Sequence, residues 1–237
     1  MSSVTQSDKP GVQLNRGRVV RFFLSMPVFF ALFMFLPAGD FTWVKGWIFI
    51  AVFIGSLGAI WAYLSRVNPE VIAARTQSHK DTKSWDKPIV FFLLLSVYSI
   101  IPVAALDDGR FHWFPLPWWV CCIGYAMYLV GMLIITRAEA VNKFFEVTVR
   151  IQSDRNQYVI DTGPYAIVRH PGYVSGIILF PGTALCLGSI WALIPAGIGV
   201  AVIILRTQWE DQTLQAELPG YREYAQRVRY RLIPGVW

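Results

Sequence analysis

The stretch WVKGWIFIAVFIGSLGAIWAYL, residues 43–64, decides the fold. Its only charged side chain is Lys45, at the third position. An α-helix rises 1.5 Å per residue, so about 20 apolar residues cross the hydrocarbon core of a bilayer. The stretch therefore predicts a transmembrane helix and, with it, an integral membrane protein.

The composition of the whole chain agrees with this interpretation. Hydrophobic residues make up 55% of the 237 residues, charged residues make up 15%, and the mean hydropathy is +0.46. Average soluble proteins carry about 25% charged residues, so this chain has too few charges to cover a water-facing surface. The ten Trp, ten Tyr and 16 Phe fit aromatic belts at both bilayer interfaces.

Five further apolar stretches accompany residues 43–64. The first four of the six stretches are long enough to span a bilayer as helices. The last two are shorter, and because Gly188 and Ser189 separate them, they predict a tight helical hairpin that inserts less deeply. In chain order, the six stretches are residues 19–37, 43–64, 88–106, 117–136, 173–188 and 190–205.

Lysine and arginine are unevenly distributed among the connecting segments. Nineteen of the 21 lie at the N-terminal end, in the loops 65–87 and 137–172, or after residue 205, whereas only Lys45 and Arg110 lie in the alternate connections. Positive charge marks cytoplasmic loops, so about six crossings with both termini in the cytoplasm are expected. The net charge of +6 suits anionic membrane lipids. No basic–aromatic module accompanies it, so no nucleic-acid partner is predicted.

The predicted fold is therefore all-α and polytopic. Residues 1–18 are expected to form a flexible tail, and residues 19–237 a single membrane-embedded domain. Long loops in compact proteins are usually functional or disordered, and the cytoplasmic segments 137–172 and 206–237 contain aromatic residues and turn signals. We expect the chemistry to lie there.

The segment TGPYAIVRHPGY, residues 162–173, holds the densest signal. Pro171 suits the first position of a helix. Arg169 and His170 would then lie at a helix N-terminus, where free backbone donors and the helix dipole favour an anion. The simpler interpretation is that Arg169 contacts lipid phosphate and His170 caps the helix.

A second signal follows the sixth apolar stretch. Arg206 and Glu210 are four residues apart, so they share one face of a helix that leaves the membrane. Ionisable groups at membrane depth usually face a cavity. The simpler interpretation is a snorkelling arginine in an intrahelical ion pair with Glu210.

A third signal is LPGYREY, residues 218–224. Tyr221, Tyr224 and Val228 share a helical face, which predicts an amphipathic helix on the membrane surface or a roof over a site. The sequence contains no cluster of metal-ligating residues, so no metal is predicted.

In this order, the motifs resemble the isoprenylcysteine carboxyl methyltransferase family, particularly its prokaryotic members. That family is related to the phospholipid N-methyltransferases. The resemblance covers approximately residues 66–237 and is densest from residue 142 onward. Upstream segments that share it are NPE at 68–70, WDK at 85–87, NKFFE at 142–146 and VRIQ at 149–152.

The resemblance implies a methyltransferase that uses S-adenosylmethionine and methylates a lipophilic substrate arriving from the bilayer. Its cofactor and catalytic region would be residues 142–237, on the cytoplasmic side of a prokaryotic inner membrane. Arg206 and Glu210 would be catalytic, with Arg206 binding a substrate carboxylate through two donors and Glu210 holding the cationic end of the cofactor. The implied cofactor-binding residues are Arg150, Gln157, Tyr158, Val159, Ile160, Tyr165, His170, Pro171, Gly172, Tyr173 and Glu210.

Two positions depart from the family pattern. Ser175 stands where the family often has Gly, and Asp211 replaces the second acid of the usual Glu-Glu pair. The first change could alter helix packing beside the cofactor.

Three other functions compete with this one. A lipid amine N-methyltransferase would differ in its acceptor only. An NADPH-dependent sterol-type reductase shares a related motif but typically has Asn where this chain has Gly172. A non-catalytic membrane scaffold or transport component would leave the ordered cytoplasmic motifs without a purpose.

Overall fold

The computed structural model describes residues 16–75 and 81–237, and within them every regular element is helical. This confirms the predicted all-α class. Most of the predicted flexible tail, residues 1–15, lies outside the described residues, while residues 16–18 begin the first helix. The α-helices are α1 (Arg16–Phe30), α2 (Leu36–Ala38), α3 (Val44–Val67), α4 (Pro69–Arg75), α5 (Asp86–Ala104), α6 (Trp118–Val141), α7 (Pro171–Cys186), α8 (Leu193–Glu217) and α9 (Tyr221–Arg227). Two π-helical segments, Ala31–Phe35 and Ala105–Phe111, continue α1 and α5, and the short 3₁₀ turns Ser153–Arg155 and Gly163–Ala166 lie between α6 and α7.

The apolar stretches found in the sequence all lie in helices. Among the described residues, four helices are long and apolar enough to cross a membrane: Val44–Val67, Asp86–Phe111, Trp118–Val141 and Leu193–Glu217. Together with two shorter apolar helices, Ser25–Ala38 and Pro171–Cys186, they account for the six predicted segments. A membrane protein is therefore supported, while the six crossings and their sidedness stay predictions.

The helix α8 is longer than its apolar segment. The sequence predicted an apolar segment ending at residue 205 and a helix carrying Arg206 and Glu210 out of the membrane; the two form one helix that continues to Glu217. Polar residues extend it because their side chains find buried partners: Arg206, Thr207 and Asp211 are all buried on its inward side. Hydropathy marks the apolar part of a helix only, so it could not show this extension.

Glycine lets α6 and α7 approach closely. A Cβ atom at Gly124 would lie 2.6 Å from the backbone carbon of Leu185, and one at Gly182 would lie 3.0 Å from the backbone nitrogen of Tyr128. Small residues at such contacts are typical of helix pairs in membranes, where close packing stabilises the association. The pair therefore places the start of α7 at a fixed position beside the end of α6.

A buried polar cluster joins the helices at the C-terminal end of α5. Asp108 accepts hydrogen bonds from Lys45 Nζ at 2.5 Å and from Trp43 Nε1 at 2.8 Å, and Asp107 accepts one from Ser189 Oγ at 2.6 Å. Ser189 lies in the turn between α7 and α8. Because buried charges are tolerated when paired and hydrogen-bonded, this cluster fixes α3, α5 and the α7–α8 turn together, at the end of α5 remote from Asp86.

At the other end of α5, the segment between α6 and α7 meets the C-terminal residues. The backbone nitrogens of Arg169 and His170 donate to the carbonyls of Tyr230 and Arg231 at 2.9 and 3.0 Å. Lys83 N likewise donates to the carbonyl of Val149 at 2.9 Å. The segment between α6 and α7 is thus assembled on the C-terminal residues and on the segment before α5.

Candidate functional site

A cavity of about 320 Å³ lies where the 142–172 segment meets α7, α8 and α9. Every residue that the sequence predicted to bind cofactor or substrate lines this cavity. The structure therefore brings the predicted site residues together, although their roles stay predictions. Apolar side chains from the membrane helices also line it: Leu93, Ile135, Leu179, Phe180 and Ile203.

Asp211, on α8, is the centre of a buried hydrogen-bond network beside the cavity. Its side chain is 0% exposed, and such a carboxylate is stable only when it is paired and hydrogen-bonded. Within the described residues, its partners are Arg169 Nε at 2.7 Å and Nη2 at 3.0 Å, Gln215 Nε2 at 2.8 Å, Arg231 Nε at 2.9 Å, Tyr221 OH at 3.0 Å and His170 Nε2 at 3.2 Å. One acid thus joins the motif before α7 to α8, α9 and the C-terminal residues.

This network shows that both simpler interpretations of the RHP motif, residues 169–171, are wrong. Arg169 is buried rather than placed against lipid phosphate, and it also donates to the carbonyls of Val228 and Arg229 at 2.8 Å. His170 precedes α7 but makes no side-chain capping bond, because its ring is directed at Asp211. Pro171 occupies the first position of α7, as predicted.

Buried tyrosines connect α9 to the same motif. Burial, and then the neighbouring Asp211, raise the pKa of Tyr221, so its hydroxyl stays protonated and donates. Tyr224 OH donates to the carbonyl of Tyr165 at 2.7 Å, and burial raises the pKa of Tyr224 as well. Asn142 Nδ2 in turn donates to Tyr165 OH at 2.8 Å. Helix α9 therefore packs over the site, which agrees with the second of the two expectations for residues 221–228, a roof over a site.

Arg206 pairs with an acid from a distant part of the chain. Its Nε and Nη2 atoms donate to the two carboxylate oxygens of Asp86, at 2.8 and 2.9 Å, and Nη2 also donates to the carbonyl of Val147 at 2.7 Å. Asp86 accepts a further bond from Val149 N at 2.7 Å. Both charged side chains are buried. Of the guanidinium nitrogens, Nη1 has no hydrogen bond within the described residues.

Glu210 has a different environment from the one that the simpler interpretation predicted. The intrahelical ion pair with Arg206 does not form; instead, Tyr173 OH donates to the Glu210 carboxylate. Within the described part of the chain, Glu210 takes part in no salt bridge. It lines the cavity and is partly buried.

The arginines that line the cavity are, by contrast, all neutralised. Arg150 donates to Glu146 at 2.8 and 3.0 Å and to Asp154 at 2.7 Å. Burial alone would lower the pKa of Arg150, but these hydrogen bonds raise it above its ordinary value. Arg169 is paired with Asp211 and Arg206 with Asp86. Of the charged side chains that line the cavity, Glu210 is the one that makes no salt bridge within the described residues.

Aromatic and amide side chains line the 142–160 part of the cavity. The ring of Tyr158 is 54% exposed and meets Phe144 edge-on, with centroids 5.1 Å apart, and Lys143 Nζ lies 5.4 Å from the same ring. Gln157 Oε1 accepts a bond from Gln152 N at 2.7 Å, which closes the loop between them. Tyr158 therefore offers an accessible aromatic surface, and Gln157 keeps its amide NH₂ for a ligand.

The two departures from the family pattern are accommodated. Ser175 is buried and donates to the carbonyl of Gly131 on α6 at 2.8 Å, so it joins α7 to α6. The close contact with α8 falls on Gly176 instead, where a Cβ atom would lie 2.5 Å from Ile203 Cδ1. Asp211, shorter than glutamate, reaches all its partners.

Sequence reasoning missed Asp86 as a site residue. Asp86 entered the sequence analysis only within WDK at 85–87, as part of the family resemblance. An acid directly before an apolar stretch can nevertheless indicate a buried charge with a partner at the membrane boundary. Its partner lies 120 residues away along the chain, and spacing within one helix cannot reveal such a pair.

Comparison with known proteins identifies one matching family. Residues 119–218, 100 of the 237, match the family model described as phospholipid methyltransferase. The match confirms the resemblance found in the sequence, since this family includes the isoprenylcysteine carboxyl methyltransferases and the phospholipid N-methyltransferases. It begins in α6 and ends immediately after α8. No curated protein matches the chain.

Proposed function

We propose, from the premise that residues 119–218 carry the pattern of the phospholipid methyltransferase family, that this protein is a membrane methyltransferase dependent on S-adenosylmethionine. Its acceptor would be a lipophilic molecule with a carboxylate or thiol, as in the isoprenylcysteine carboxyl methyltransferases. The enzyme would act at the cytoplasmic face of a prokaryotic inner membrane.

The charge balance of the cavity is the observation that carries the proposal. The lining arginines are paired with acids, whereas Glu210 makes no salt bridge among the described residues. A buried carboxylate is stabilised by a cation, and S-adenosylmethionine has a sulfonium and an ammonium group. NADPH carries several phosphates and would need free cations, so the sterol-type reductase alternative is disfavoured.

The remaining groups suit the other parts of the cofactor. The accessible ring of Tyr158 and the apolar side chains of Val159 and Ile160 offer a surface for the adenine. His170 and the backbone N–H of Gly172, at the start of α7, would bind the carboxylate of the cofactor. Arg206, Tyr173 and Glu210 line the wall next to the membrane helices, where an acceptor would enter from the lipid.

The reaction needs orientation more than acid–base chemistry. S-adenosylmethionine would supply a methyl group on a cationic sulfur, which keeps the electron pair of the broken bond. A carboxylate acceptor is already ionised and has the lone pair that forms the new bond, so no proton has to be removed. A thiol acceptor would first lose its proton to water and react as the thiolate. The residues of this chain would exclude water and hold the acceptor about 3 Å from the methyl group, in line with the breaking bond.

Arg206 would hold the acceptor through fewer hydrogen-bond donors than the sequence implied. The family resemblance assigned it two donors for a substrate carboxylate, but Nε and Nη2 are used by Asp86. We propose that Nη1 makes the contact with the acceptor, while the bonds to Asp86 fix the plane of the guanidinium.

Equilibrium binding on detergent-purified protein tests the cofactor. We expect S-adenosylmethionine to bind and NADPH not to bind. Tyr165→Ala should weaken the binding of S-adenosylmethionine, because it removes a buried ring that lines the cavity. Arg227→Ala, at an exposed ion pair with Asp161, is the matched control and should leave the affinity unchanged. Binding of NADPH alone would contradict the proposal.

A transfer assay with labelled S-adenosylmethionine then identifies the acceptor class. Three probes cover the candidates: a free S-prenylcysteine for carboxylates, a long-chain alkyl thiol, and vesicles that contain phosphatidylethanolamine for amines. The third probe represents the second candidate function, a lipid amine N-methyltransferase, which the description of the matched family favours. We expect the carboxylate or the thiol to be methylated, and methylation of the amine alone would favour the second candidate.

A further inference from the structure

Thr148 has a buried polar group that the structure leaves without a partner. Its Oγ1 atom is shielded from solvent and forms no hydrogen bond within the described chain. Buried hydroxyl groups are normally satisfied, and each exception calls for an explanation. Thr148 lines the cavity of the candidate site, so a bound molecule could supply the missing partner.

The backbone on both sides of Thr148 is fixed in place. The carbonyl of Val147 accepts a bond from Arg206 Nη2 at 2.7 Å, and the nitrogen of Val149 donates to Asp86 Oδ2 at 2.7 Å. The buried Arg206–Asp86 pair therefore clamps the residues before and after Thr148. A hydroxyl held so firmly keeps its position before any ligand binds, which reduces the entropic cost of binding.

The position of the clamp indicates which ligand Thr148 would contact. Apart from Arg150 and Glu210, the groups suited to the cofactor come from residues 157–173, whereas the backbone beside Thr148 is fixed by Arg206, the residue proposed to hold the acceptor. Arg206 Nη1 and Thr148 Oγ1 are both without a hydrogen-bond partner in the described residues, and both can donate. An acceptor head group with oxygen lone pairs, such as a carboxylate, would satisfy the two together.

We propose that Thr148 is a specificity-determining residue whose hydroxyl hydrogen-bonds the polar head of the methyl acceptor. The inference rests on the proposed methyltransferase function and adds to it a residue that selects the acceptor. It also explains why a threonine whose hydroxyl has no hydrogen-bond partner among the described residues stands between two clamped valines.

The test compares Thr148→Val, which keeps the shape and removes the hydroxyl, with Thr148→Ser, which keeps the hydroxyl. The parent is first assayed with free S-prenylcysteine, the alkyl thiol and phosphatidylethanolamine vesicles. Each variant is then assayed with the probe that the parent methylates. We expect Thr148→Val to raise the KM for a carboxylate acceptor about ten- to a hundredfold, the value of one hydrogen bond to a charged group. The affinity for S-adenosylmethionine should stay unchanged, and Thr148→Ser should remain close to the parent.

Thermal unfolding of the ligand-free protein supplies a second readout. Removal of an unsatisfied hydroxyl does not cost stability, so Thr148→Val should unfold at the parent's temperature or above it. Thr183→Val is the matched control, because its hydroxyl donates to the carbonyl of Leu179 at 2.8 Å and does not line the cavity. It should leave the KM for the acceptor unchanged.

The outcomes separate this inference from the function on which it rests. If the parent methylates a probe and Thr148→Val has the same KM, the role of Thr148 is overturned and the methyltransferase stands. A lower unfolding temperature with an unchanged KM, or weaker binding of S-adenosylmethionine alone, also overturns it. If the parent neither binds S-adenosylmethionine nor methylates any probe, the proposed function fails, and this inference fails with it.

Discussion

Replacing Asp86 by Ala should be among the most destabilising single changes in the chain. Asp86 is 0% exposed and accepts bonds from Arg206 Nε, Arg206 Nη2 and Val149 N at 2.7–2.9 Å. Without it, the buried guanidinium keeps only the carbonyl of Val147, and the Val149 nitrogen loses its acceptor. Breaking a buried ion pair by removing one partner costs about 3–5 kcal/mol, so a loss of that size is expected.

A double replacement distinguishes this cost from simple loss of packing. Asp86→Leu with Arg206→Met removes both charges and leaves apolar side chains, so it should cost less than either single change. The matched control is the exposed pair of Arg227 and Asp161, joined at 2.9 Å with side chains 67% and 42% exposed. Its disruption should cost less than about 1 kcal/mol.

The free energy of unfolding can be measured in mixed detergent micelles by tryptophan fluorescence, since the chain has ten Trp residues. The double variant is expected to cost much less than the sum of the two single changes. If Asp86→Ala costs no more than Arg227→Ala, or if the two single costs simply add in the double variant, the reasoning about the buried pair is refuted.

Three further predictions concern packing, the cofactor and topology. Gly124→Ala should destabilise the protein by about 1–3 kcal/mol, because the added Cβ atom would collide with the backbone of α7. Gly58→Ala is the control: its Cβ atom would have no neighbour within 4 Å, so it should leave the free energy of unfolding unchanged. His170→Ala should weaken the binding of S-adenosylmethionine about ten- to a hundredfold by loss of one charge-assisted hydrogen bond, and unchanged affinity in a titration would show that the cofactor lies elsewhere. Cysteines introduced at the exposed residues 110–115 should be labelled from outside in intact cells, and cysteines at exposed positions of residues 137–172 only after the membrane is opened. Labelling of the two termini on opposite sides would exclude six crossings.

Much of the fold could be predicted because hydropathy reports burial in lipid directly. Each apolar stretch became a helix, and the proline of the RHP motif began α7 as its backbone preference predicted. The four-residue spacing of Arg206 and Glu210 correctly placed both residues on one helix. These features depend on local geometry, which the order of residues determines almost alone.

The partners of the charged residues could not be predicted in the same way. Spacing suggested that Arg206 pairs with Glu210, whereas the structure pairs it with Asp86, and Arg169 with Asp211. A buried charge selects the acid whose carboxylate lies within about 3 Å in three dimensions. That acid can come from any helix, so only the assembled structure identifies it.

The glycine contacts between α6 and α7 have a mechanical consequence. With Gly124 against the backbone of Leu185, neither helix can slide along the other without a collision, so the pair is stiff, and His170 at the start of α7 is carried on a stiff support. Residues 151–162 form no α-helix, and single hydrogen bonds such as that from Gln152 N to Gln157 Oε1, which can break and re-form one at a time, hold this segment. The part of the cavity wall that moves as a ligand enters and leaves is therefore expected to be residues 151–162, while the clamped residues 147–149 and the start of α7 stay in place.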